Sequence, residues 1–142
     1  MLKTKIILGY LGFIPFALFT ILPWILGENW LRPSLISLVI YGAIILSFLG
    51  GIIWQSSKKQ SDLVSGILFS LLGFVSIFLF TVNVMIPLIM LTLSFPLCYL
   101  QEKRTSDSFA DEDYASLRLN LTTGVTACFV LSIFSTIGLF TQ

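Results

Sequence analysis

Side chains that move protons, bind metals or attack substrates are scarce in this sequence. It contains no histidine, which removes the commonest metal ligand, the usual haem ligand and the usual general base. Its two cysteines, Cys98 and Cys128, show no Cys-x-x-Cys spacing that would mark a zinc or iron–sulfur site. The densest run of ionisable groups is QEKRTSDSFADEDYASLR, from Gln101 to Arg118. Its acids Asp111, Glu112 and Asp113 lack the alternating spacing and the glycine of a calcium loop. Arg118 is preceded by Tyr114 at four residues and Ala115 at three, so it has no acidic partner on its own helix face. A guanidinium there can clamp a lipid phosphate or a partner's carboxylate, or simply extend into the interface. Tyr114 and Trp54 are expected beside it as headgroup or partner contacts. No catalytic set, cofactor or metal is implied, and no enzymatic activity is expected.

Composition dictates the elements that carry these residues. The chain of 142 residues is 56% hydrophobic and 11% charged, against about 25% charged in a soluble domain. It cannot cover itself with a water-facing surface, so the expected class is an all-α membrane protein forming one domain over residues 1–142. Five apolar segments stand out, at about 6–27, 35–54, 63–82, 84–100 and 119–140. Residues 63–100 would make one helix about 57 Å long, far too long for a single crossing of a core about 30 Å thick. Asn83 and Pro87 are the natural place for the chain to turn. Residues 101–118 are left as the one sizeable loop, with the fifth helix expected to begin near Asp111, where acids favour a helix amino terminus.

Threaded this way, Lys3, Lys5, Lys58, Lys59, Lys103, Arg104 and Arg118 fall on one side and Arg32 alone on the other. The positive-inside rule then predicts a cytoplasmic amino terminus and a periplasmic carboxyl terminus. Trp24 and Trp30 fit the outer interface, and Tyr10, Trp54, Tyr99 and Tyr114 the inner one. Lys3 and Lys5 before an apolar stretch resemble a signal peptide, but the stretch is too long and no small-x-small cleavage site follows, so a retained helix is expected. The net charge of +1 and the lack of a basic tract give no support to nucleic-acid binding.

Small residues are the other pattern. In YGAIILSFLGGIIWQ, residues 41–55, Ala43, Ser47 and Gly51 recur at every fourth position, with Gly50 beside them. Gly66, Ser70 and Gly73 in the third span and Gly124, Cys128 and Ser132 in the fifth repeat the device. Lipid tails are as apolar as leucine, so helices associate in a bilayer by close approach, which small residues permit. A compact five-helix bundle is expected, with a groove to spare for docking another chain. Cys98 and Cys128 should differ in depth by about 9 Å, beyond the roughly 7 Å that a disulfide tolerates between Cα atoms, and free thiols are expected. Tyr41 is a phenol at hydrocarbon depth and needs a partner. Pro23 leaves the Phe19 carbonyl without its helical donor, and Tyr41 is expected to bond it, a water pocket or a partner subunit being the alternatives.

The run YGAIILSFLGG followed by Trp54, with LGYLGFIPF near the start and DYASLRLNLTTGV before the last span, resembles an uncharacterised family of proteobacterial membrane proteins that includes the mitochondrial transmembrane protein 69. The matching positions in the last motif are Tyr114, Arg118 and Thr122. The sequence departs from the family pattern at Ile53, Gln55, Asp113 and Leu121. The resemblance implies a small five-helix protein of a bacterial inner membrane and no established activity. With no ionisable residue expected inside the spans, a proton-coupled transporter or an ion channel is disfavoured. The leading expectation is an accessory subunit or assembly factor of a larger inner-membrane complex, such as an electron-transport complex, with membrane lipids and other subunits as partners. The alternative is a carrier or binding protein for a lipid, quinone or small molecule, with a cavity lined by Thr122, Thr123 and Thr126.

Overall fold

The computed structural model describes residues 2–140. Five long helices account for nearly all of them: α1 (Leu2–Leu26), α2 (Leu31–Ser56), α3 (Gln60–Leu79), α4 (Met85–Thr105) and α5 (Glu112–Phe140). Each is long and apolar enough to cross a membrane. Short 3-10 turns at Glu28–Trp30 and Asp107–Ala110 link α1 to α2 and α4 to α5.

The turns sit where local chemistry asks for them. Gly27 takes a φ of 98°, which only glycine adopts freely, and its N–H closes α1 on the Pro23 carbonyl at 3.0 Å. The Asn83 side chain accepts the Met85 N–H at 2.9 Å, and Pro87 follows in the first turn of α4, where its missing N–H costs nothing. Asp111 accepts the Asp113 N–H at 2.9 Å and starts α5, as the acids there suggest.

One boundary corrects the sequence reading. The fourth helix, expected to end near residue 100, continues to Thr105, so with α5 beginning at Glu112, close to the expected Asp111, the connection shrinks to residues 106–111. The fourth span therefore has 21 residues, about 31 Å, enough to match the bilayer core. Gln101, Glu102, Lys103 and Arg104 are good helix formers, and the charge that suggested a loop lies on the helix itself.

In space the helices form a ring. Successive helices pack side by side, α5 closes back on α1, and α2 touches α4 across the middle. That diagonal divides the ring into a triangle, α2–α3–α4, and a four-sided compartment, α1–α2–α4–α5. The triangle is tight where α2 meets α3. A Cβ on Gly50 would lie 2.6 Å from the Gly66 carbonyl oxygen, and one on Gly66 would lie 2.7 Å from that of Gly50. Beside them the hydroxyls of Ser47 and Ser70 donate to each other's carbonyls at 3.4 and 3.3 Å. A Cβ on Gly73 would strike the Ala43 carbonyl at 2.7 Å.

Gly51 is not part of this seam; it is exposed, and a Cβ there would meet nothing within 4 Å. Steps of four overshoot a 3.6-residue turn, so Gly51 drifts about 80° from Ala43, whereas Gly50 lies within about 20° of it. The working stripe is Ala43–Ser47–Gly50. It is consumed inside the bundle against α3, so the groove expected to dock another chain is already filled. Gly124 is filled too, its face covered by the Phe13 ring at 2.8 Å from a would-be Cβ. Cys128 and Ser132 are buried on the same helix, and both cysteines are free.

Replacing Gly66 by leucine should separate α2 from α3, because the obstacle is backbone that cannot give way. The expected cost is at least about 1–3 kcal/mol, read as a lower melting temperature in detergent, while Gly51→Ala, in open space within a helix, should keep or slightly raise it. Equal effects at the two positions would contradict this packing.

Candidate functional site

The four-sided compartment is filled at one level and open at another. Phe16 of α1, Phe95 of α4 and Phe129 of α5 meet there, with ring centroids 5.7 to 6.0 Å apart. Tyr41 of α2 lies edge-on to Phe16 at 4.8 Å. Its hydroxyl donates to the Gly12 carbonyl at 2.7 Å, not to that of Phe19. Gly12 has no side chain to shield its oxygen, and Phe16 one turn on gives the phenol ring a surface to rest against. This bond ties α1 to α2 at mid-depth.

Between this aromatic plug and the end of the bundle that carries the amino terminus lies a cavity of about 830 Å³. Leu8, Ile45, Ile52 and Leu121 form apolar walls, and Phe16 and Phe95 form its floor. Leu8 and Phe48, on its rim, are 60% and 66% exposed. The cavity thus opens sideways between α1 and α2. Its polar groups gather at the basic end: Lys5 of α1, Gln55 and Ser56 of α2, Ser106 of the connection after α4, and Tyr114, Arg118 and Thr122 of α5. Among the described residues no acidic side chain lines it. A second depression, about 220 Å³ beside Trp54, is otherwise walled by aliphatic side chains alone.

Behind the basic end is a buried ion pair. Glu102 of α4 is fully buried, and its carboxylate accepts the Arg118 Nε–H at 2.7 Å and the Tyr114 hydroxyl at 2.8 Å. Phe109 packs edge-on to Tyr114 at 5.4 Å and to Tyr99 at 5.7 Å, covering this network from the side of the 106–111 connection. Arg118 is itself 7% exposed. Its Nη2 is buried with no hydrogen-bond partner. A buried donor left unmatched costs roughly 1–3 kcal/mol, and here it belongs to a side chain in a cavity wall.

The expected headgroup contacts are therefore redistributed. Trp54 stays on the outside, 52% exposed. Arg118 and Tyr114 turn inward, onto an acid of the neighbouring helix. Arg118 has no partner on its own helix, as its spacing implies, and finds one across the bundle in Glu102 instead of facing outward to lipid or another chain. The sequence reading placed every acid outside the spans, and so missed Glu102. The signal was present: Leu88, Leu91, Phe95, Cys98, Glu102 and Thr105 are buried and follow one another at alternating steps of three and four, the mark of a single buried helix face. Of the three threonines expected to line a cavity, only Thr122 does. Thr123 is exposed and donates to the Leu119 carbonyl at 2.9 Å. Thr126 is not in the wall. Among the described residues no three His, Cys, Asp or Glu side chains come together as metal ligands would.

Glu102→Ala should destabilise the fold by about 3–5 kcal/mol, because it strands a buried guanidinium. Glu102→Gln/Arg118→Gln removes both charges at once and should cost distinctly less in a thermal melt. Additive losses, with the double variant the worst, would mean that the two residues do not act as a pair.

A family model described as a protein of unknown function, DUF3429, matches residues 1–134. That span includes α1 to α4 and most of α5. No curated protein and no solved structure matches the chain.

Proposed function

The chain belongs to the DUF3429 family, and we propose that it is a non-catalytic membrane protein that binds one amphiphile drawn from the surrounding bilayer. The observation that carries this reading is the side-opening cavity, apolar along its walls and polar at one end. Ligand sites of about 300–1,000 Å³ with mostly apolar walls and a few placed polar groups are the usual form of small-molecule pockets. The opening between α1 and α2 faces the hydrocarbon, so a lipid-like molecule can enter without crossing water. The polar groups there are two cations, an amide and hydroxyls, and among the described residues no histidine or carboxylate is set with them to move a proton, which favours binding over catalysis.

The accessory-subunit reading rests on small size, little extramembrane mass and a spare groove of small residues, and the last of these is weakened because Ala43, Ser47 and Gly50 already pack against α3. The proposal keeps the threading read from charge: amino terminus cytoplasmic, carboxyl terminus periplasmic, in a bacterial inner membrane. Seven of the eight basic residues lie at or beside the amino-terminal end of the bundle, which supports that orientation. The motif around residues 41–54 supports kinship with the mitochondrial transmembrane protein 69.

Native mass spectrometry of the tagged protein released from its membranes tests the reading. One amphiphile per chain is expected, lost when Ile52→Trp fills the cavity while the melting profile is kept. A large complex of fixed stoichiometry with no retained small molecule would reject it and restore the accessory-subunit role.

A further inference from the structure

We propose that the cavity selects an anionic phospholipid, its phosphate seated at the end lined by Arg118 and Lys5 and one acyl chain running toward Phe16 and Phe95. This rests on the amphiphile reading above and adds the chemistry of the head.

Three observations lead there. First, the guanidinium is already oriented. Glu102 holds Arg118 through Nε, which keeps the side chain from swinging out to water and leaves it in the cavity wall, while Nη2, buried beneath that wall, has no hydrogen-bond partner within the chain. The pair is neutral in sum, but its negative half is turned away: Glu102 contributes nothing to the cavity surface. Second, Lys5 lines the same end and no acid opposes it, so the cavity end attracts negative charge. Third, the remaining polar lining includes Gln55 and Ser56. Both can hydrogen-bond the polar substituent that a phosphodiester carries beyond its charge and that a fatty-acid carboxylate lacks, which favours a phospholipid head.

The length also fits. From Lys5 to Phe16 is eleven residues of α1, about 16 Å along the helix axis. That is roughly half of a bilayer core, the depth of one leaflet. One chain can fill the cavity while a second leaves through the side opening between Leu8 and Phe48.

The test reconstitutes the full chain in vesicles of phosphatidylcholine with a minor share of phosphatidylglycerol. The protein is then extracted in mild detergent and its retained lipids are identified by native mass spectrometry. One phosphatidylglycerol per chain is expected, enriched about tenfold over its share of the bilayer, as a charge-assisted bond would give. Lys5→Glu, on an exposed residue, should abolish the enrichment without touching the fold. Glu102→Gln should keep it, because Arg118 stays. Glu102→Gln/Arg118→Gln should lose it, with no buried charge stranded to unfold the bundle. Retention of one phosphatidylcholine as readily as phosphatidylglycerol would overturn the head assignment and leave amphiphile binding standing. Retention of no lipid at all would overturn both. Undiminished enrichment in the double variant, or a fatty acid in place of the phospholipid, would also overturn the assignment.

Discussion

A carboxylate with no access to water must be answered by a cation, and in this protein that constraint organises one end of the bundle. Glu102 is sealed under the last turn of α4, so Arg118 must come in from α5 and Tyr114 must turn with it. The pair fixes how α4 and α5 meet across a connection of only six residues. It also keeps Arg118 in the wall of the cavity. A buried ion pair is weak evidence for stability, since apolar packing of the same volume often does as well. Its value here lies in holding a charged donor in a fixed place.

The cavity has an equally simple origin. Five helices closed in a ring with one diagonal leave a triangle and a four-sided space. The triangle closes because Gly50 and Gly66 let two backbones touch. The four-sided space has no such seam, and large rings fill only part of it. Phe16, Phe95 and Phe129 close one level, and Tyr41 pins α1 to α2 beside them. Beyond that level the helices enclose a void whose chemistry passes from apolar to cationic within about three turns.

Much of this was legible in the sequence, and the reasons are local. The five spans follow from composition, the turn at Asn83 and Pro87 from backbone chemistry, and the start of α5 at Asp111 from capping. The close contact of α2 with α3 follows from small residues at helical spacing, although the strict four-residue step pointed to Gly51 where the 3.6-residue helix uses Gly50. Glu102 was hidden because a charged residue near a predicted span end reads as loop. Only its place on the buried stripe of α4 gives it away. The partner of Tyr41 was illegible for a different reason: a backbone carbonyl carries no side-chain label, and Gly12 looks like any other glycine. The cavity is a property of the ring and its diagonal, which no single segment encodes.

The central claim is that the space below Phe16 and Phe95 is a site with an occupant. Its most direct test is an experimental density map of the chain in a lipid nanodisc. The account predicts a continuous rod of density in the cavity that ends in a compact feature against the Arg118 and Lys5 side chains. A cavity collapsed by approach of α1 to α2, or one holding only scattered water with Arg118 turned elsewhere, would contradict it.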